Sequence, residues 1–152
     1  MIPDYANYAM VAVLVAAFLI EVRTGRIPNL LTLLPPLIFA GVLVLADDRS
    51  PLYWQIGLAA GMFVLGLALF AIGGMGAGAV KLLAGTVLFV PQSKAFYTFL
   101  AFLAIFFVST FVFVQIRKLF GSETSKWHLM AKQVIPLSFS IGVAGILGMF
   151  YF

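Results

Sequence analysis

Apolar runs of roughly membrane-crossing length, separated only by short polar punctuation, constrain this chain more than any other feature of it. A bilayer-crossing helix needs about 20 mostly apolar residues, and each backbone polar group inside the bilayer must be satisfied within its segment or by buried protein. Six segments read as spans on that criterion: Tyr5 to Val22, Leu30 to Ala46, Leu52 to Ile72, Gly78 to Val90, Ala95 to Ile116 and Val134 to Phe152. No polar segment is long enough to fold alone, so the expected architecture is one all-α, polytopic membrane domain over residues 1–152. The 64% hydrophobic and 9% charged residues agree, since soluble domains have roughly 45–50% and about 25%. The fourth span is short, and its glycine-rich approach reads as irregular backbone that protein or a wet cavity must cover. Pro35, Pro36 and Pro136 fall inside or near the starts of spans, where they either kink the helix or are ordinary membrane-helix prolines.

The stretch MIPDYANYAM carries Asp4 but no Lys or Arg, unlike the positive start of a cleavable signal peptide, so the first span is expected to be permanent. Sidedness follows from the cations. Arg23, Arg26, Lys81, Arg117, Lys118, Lys126 and Lys132 fall on one face, and only Arg49 and Lys94 on the other. The positive-inside rule makes the first face cytoplasmic and places both termini outside. The net charge of +4 is then mostly topology; it needs no nucleic-acid partner, and basic loops would favour anionic lipid headgroups. Zero cysteines exclude disulfides, thiolate zinc sites and a cysteine nucleophile.

Two stretches carry candidate chemistry. Glu21 lies in the last turn of span one, within FLIEVRTGRIPN, and an ionisable group at the edge of an apolar span is a functional candidate. The plainer alternative is a carboxylate snorkelling to the interface beside Arg23 or Arg26. GGMGAGAVKL, residues 73–82, fails as a Walker loop, because Leu82 follows Lys81 where Ser or Thr is needed. It fails as a dinucleotide fingerprint too, because no soluble parallel sheet precedes it. The remaining structural reading is close helix packing through Gly74 and Gly78, a small-xxx-small spacing.

Taken together, Glu21-x-Arg23-x-x-x-Ile27-Pro28-Asn29 and Gly76-x-Gly78-Ala79-Val80-Lys81-Leu82 resemble the type IV prepilin peptidase family of membrane aspartic proteases. Its pattern reads D-x-R-x-x-x-I-P-N and then G-x-G-D-V-K-L, the two aspartates forming the catalytic pair. The shortness of the chain, the outside N-terminus and the run IPLSFSIGVA look most like the members that serve Flp, or tight-adherence, pili. The resemblance implies an enzyme of the bacterial inner membrane, without metal or cofactor, that removes the basic leader of a prepilin at the cytoplasmic face. It places the acid pair at Glu21 and Ala79, with Arg23, Pro28, Asn29, Gly76, Gly78 and Lys81 as motif or substrate-binding positions. Pilus-assembly proteins are implied further partners. Methylation of the new N-terminus is not implied, because the cysteine-bearing insert of longer relatives is missing.

The departure lies in the acids. Glu21 is a methylene longer than the family's aspartate, and Ala79 has no carboxyl at all. Peptide hydrolysis by an acid pair needs one carboxylate to take a proton from water while its protonated partner polarises the carbonyl. Asp4, Asp47 and Asp48 fall on the outer face and Glu123 in a basic loop, so none replaces the lost acid. The chain is therefore expected to be inactive. Engineered replacement of an aspartate and natural loss of catalysis both yield this sequence, and the intact flanking Gly, Val, Lys and Leu favour the first. A non-catalytic scaffold that binds pilin segments is the alternative. A transporter or channel fits poorly, since polar residues such as Thr32, Gln55, Thr98, Ser109 and Thr110 are sparse along the spans. His128 reads as a loop histidine, Trp127 and Tyr5 as interfacial anchors, and the phenylalanines between Phe96 and Phe113 as lipid-facing or core packing.

Overall fold

The computed structural model describes residues 2–120 and 136–152. Six helices account for nearly all of these: α1 Asp4–Thr24, α2 Asn29–Leu45, α3 Ser50–Ala71, α4 Ala77–Val87, α5 Gln92–Phe120 and α6 Leu137–Phe150. The fold is all-α, and the chain is a membrane protein. Three helices, α1, α3 and α5, are long and apolar enough to cross a membrane. The others are apolar but shorter, at 17 residues for α2, 11 for α4 and 14 for α6. At 1.5 Å per residue α4 extends only about 16 Å, against about 30 Å of hydrocarbon.

Local sequence sets the breaks. Gly25 ends α1 in the left-handed region, at φ 69°, and its N–H returns to Glu21 O at 2.7 Å. That conformation costs a glycine no Cβ clash. Extended Pro28 then turns the chain into α2. At the other hairpin Gly73 takes φ 77° after α3, Gly74 N–H bonds Leu69 O at 2.8 Å, and extended Gly76 opens α4. Pro136 precedes α6 as its cap residue and does not kink a span. Pro35 and Pro36 do lie inside α2, where Pro35 is buried.

Helix α4 sits in the middle. It packs against α2, α3 and α6, while α1 packs on α2 and α6, and α5 lies outside, mainly against α6. Glycines set these approaches: a Cβ on Gly66 of α3 would come within 2.8 Å of Val80, and one on Gly85 of α4 within 2.8 Å of Pro35. Gly74, in contrast, lies in the α3–α4 connection, so the expected Gly74/Gly78 helix-packing stripe is not formed. The pairs Glu21–Ser138, Ser109–Ser140 and Asn29–Lys81 bring the end of α1, the start of α6, the later part of α5 and the starts of α2 and α4 together, and with them Arg23, Arg26, Lys81, Arg117 and Lys118 come toward one end of the bundle. Glu123, Lys126, Trp127, His128, Lys132 and the expected start of the sixth span at Val134 lie outside the described residues.

Candidate active site

The first motif straddles the α1–α2 corner and the second the α3–α4 corner, and the two interlock. A Cβ on Gly78 would fall 2.9 Å from the Cβ and 3.0 Å from the carbonyl oxygen of Ile27. Only a residue without a side chain lets α4 begin against the Ile-Pro-Asn corner, which is a concrete reason for the second glycine of the motif. Gly76 has open space where its Cβ would be. Five residues further on, Lys81 Nζ donates to Asn29 Oδ1 at 3.0 Å, a second tie between the motifs at their solvent-facing edge.

Glu21 and Ala79 line one cavity of about 390 Å³, together with Arg26, Asn29, Gly76 and Leu137. Most motif positions thus converge, apart from exposed Arg23, Pro28 and Lys81, which do not line this cavity. The walls of the cavity differ sharply. Ala79, at the third position of α4, is 1% exposed and presents a methyl group. Glu21 is 7% exposed, so it does not snorkel to the interface. Its Oε2 accepts the backbone N–H of Ser138 at 2.9 Å and also the Ser138 hydroxyl.

Ser138 was not singled out from the sequence, and its role follows from helix geometry. The first N–H groups of a helix have no intrahelical acceptor. Pro136, at the cap position of α6, offers no side-chain acceptor, and Ser138 is the second helical residue, whose N–H a cap would satisfy. Glu21 supplies that acceptor from another helix, at the end of α6 where the helix dipole favours a carboxyl oxygen. The readable signal was a helix opening Pro-Leu-Ser without a capping side chain ahead of it.

A cavity with one carboxyl and one methyl can hold and orient a peptide or a water, but it cannot divide acid and base roles between two carboxyl groups. Residues 8–117 match the model of the type IV leader peptidase family. The match takes in both motifs and most of the chain, and the chain belongs to that family, which is one of peptidases. Comparison with curated proteins and with solved structures found no match.

Proposed function

We propose that this chain is a prepilin leader peptidase-type protein of the Flp subgroup that engages prepilins at the cytoplasmic membrane face but, with Ala79 at the second acid position, does not cleave them. The observation that carries this reading is the shared cavity: both acid positions line it, and one of them lacks its acid. The motif end is also the cation-rich end, which the positive-inside rule assigns to the cytoplasm along with a multi-pass, termini-out arrangement. A basic leader would lie there in water while the apolar part of the prepilin stays in the bilayer.

Catalysis by this site would need its missing proton carrier. With carboxyl groups at both positions, one proton is shared because both cannot ionise together, and the apparent pKa values belong to the pair. Loss of one such partner typically costs about 10²–10⁴-fold, and a misplacement of about 1 Å from the longer Glu21 can cost a further factor of roughly 10². The test compares cleavage of a panel of Flp-type prepilins by this chain, by Ala79→Asp and by Ala79→Asp with Glu21→Asp, in liposomes. Leader removal is expected in the restored forms only, highest in the double replacement.

The scaffold reading is favoured by one specific observation. Glu21 already serves α6, since its Oε2 accepts hydrogen bonds from the Ser138 N–H and hydroxyl. If prepilins bind but no restored form cleaves them, the chain is a pilin-binding assembly protein and the peptidase reading is wrong. Engineered replacement leaves a site that recovers on restoring aspartate. Long natural loss leaves one that does not.

A further inference from the structure

A second, larger recess lies next to the acid-pair cavity. We propose that it receives about two turns of an apolar helix, and that the occupant is the membrane-embedded segment of the prepilin, directly beyond the leader junction. The inference rests on the substrate class of the reading above.

The walls of this recess have a helical period. Helix α2 contributes Asn29, Thr32, Leu33 and Pro36, helix α3 contributes Ile56, Ala59, Ala60 and Phe63, and α4 contributes Lys81, Ala84, Gly85 and Leu88. Each set follows i, i+3, i+4, i+7, which is one face of a helix over two turns, about 10 Å long. Helices α2 and α3 both pack on α4 but hardly touch each other, so α4 forms the floor of a groove of about 510 Å³ between them. Three helix faces around a common axis are the surroundings of a fourth helix in a bundle, and the groove leaves that place open. Buried Ala59 and Gly85 keep the bottom shallow in side-chain bulk, as close helix approach in a membrane requires. Leu33, Pro36, Ile56 and Phe63 are exposed along the rims, where they would grip an apolar face.

Continuity with the acid-pair cavity selects the occupant. Asn29 lines both recesses, and its bond to Lys81 marks the end of the groove at which they meet. A polypeptide leaving the cavity past Asn29 enters the groove at that end and runs along α2 and α4 toward Pro36 and Leu88. A free acyl chain would use the apolar rims but has no need of a cavity at one end or of three matched helical stripes. A second copy of this chain would have to offer an apolar helix that passes on into the acid-pair cavity.

Photo-crosslinking in nanodiscs tests the assignment. A benzophenone side chain is placed at Leu33, at Ala60, or at Phe107 on the far helix α5, in the full-length chain mixed with an Flp-type prepilin. Crosslinks from Leu33 and Ala60 to the first two turns of the apolar segment, at least tenfold above those from Phe107, are expected. In the Ala79→Asp background, Ala60→Phe should raise the KM for prepilin at least tenfold with kcat nearly kept, because it fills the groove without reaching the acids. Crosslinks at the groove to lipid alone or to a second copy of the chain, or prepilin crosslinks confined to Phe107, would overturn the proposal. Cleavage by Ala79→Asp together with such a pattern removes the groove assignment and leaves the peptidase reading standing. Absence of both prepilin capture and restored cleavage removes the two together.

Discussion

Helices α4 and α5 are neighbours in the chain and opposites in the fold. Helix α4 has 11 residues, too few to cross a bilayer, and Ala79, Val80, Leu82, Leu83, Gly85 and Thr86 are buried. Helix α5 has 29 residues, and only Ser109 is buried among those described. The long helix meets its neighbours chiefly through one face against α6, with the Ser109 and Ser140 hydroxyls 2.9 Å apart, and turns phenylalanines such as Phe107 and Phe111 outward. Lipid tails are as apolar as those side chains, so burying them would gain little. The short helix carries the second motif and touches three others. In this protein the longest helix marks the scaffold, and the shortest holds the second motif of the site.

That contrast predicts where substitutions hurt. The largest effect is expected at the joint between the motifs: Gly78→Val places a branched side chain against Ile27, whose carbonyl oxygen is backbone and cannot move aside alone. Overpacking typically costs about 1–3 kcal/mol and occasionally more, and the upper part of that range is expected here, read as lost resistance to unfolding in mixed micelles. A Gly78→Val chain as stable as the parent would mean that α4 does not start against the Ile-Pro-Asn corner. Next comes Glu21→Ala, which leaves the buried Ser138 N–H and hydroxyl without their acceptor. Unsatisfied buried donors cost about 1–3 kcal/mol, and the readout is faster hydrogen exchange in the first turn of α6 with α3 unchanged. Uniform loosening of all helices would show instead that Glu21 acts on the whole bundle.

Much of this arrangement was legible, and the parts that were not share a cause. Hydropathy located the six helices of the described residues within a few positions, because apolar length is a property of each segment alone. It also assigned Pro136 to a span, although Pro136 stands just before α6, since proline favours both helix starts and kinks. The motifs placed Glu21 and Ala79 at one site, and the two do line one cavity. What escaped were the particular contacts by which one helix meets another. Gly74 and Gly78 have the spacing of a packing stripe, but Gly74 lies in a turn and Gly78 meets a corner, not a helix. Ser138 escaped because the missing cap of its helix shows only a need for an acceptor, and that acceptor, Glu21, lies more than a hundred residues away. The i, i+3, i+4, i+7 sets of α2, α3 and α4 are each unremarkable, and only their convergence makes a groove.

The smallest effects separate a tie that positions the motifs from one that merely decorates their edge. Lys81 and Asn29 are both exposed, so their bond competes with water, and exposed polar pairs contribute about 0–1 kcal/mol. A double-mutant cycle of Lys81→Met and Asn29→Ala should therefore give a coupling below about 1 kcal/mol in stability. In the Ala79→Asp background the same pair should matter more for cleavage, since Asn29 lines the cavity and a shift of about 1 Å can cost roughly 10²-fold. Phe107→Ala on α5 provides the floor: it is 69% exposed, touches neither recess, and should change stability by no more than about 0.5 kcal/mol and cleavage not at all. If Phe107→Ala impairs cleavage as strongly as breaking the Asn29–Lys81 tie, the outer face of α5 is itself a working surface, and the division between a passive long helix and a functional short one fails.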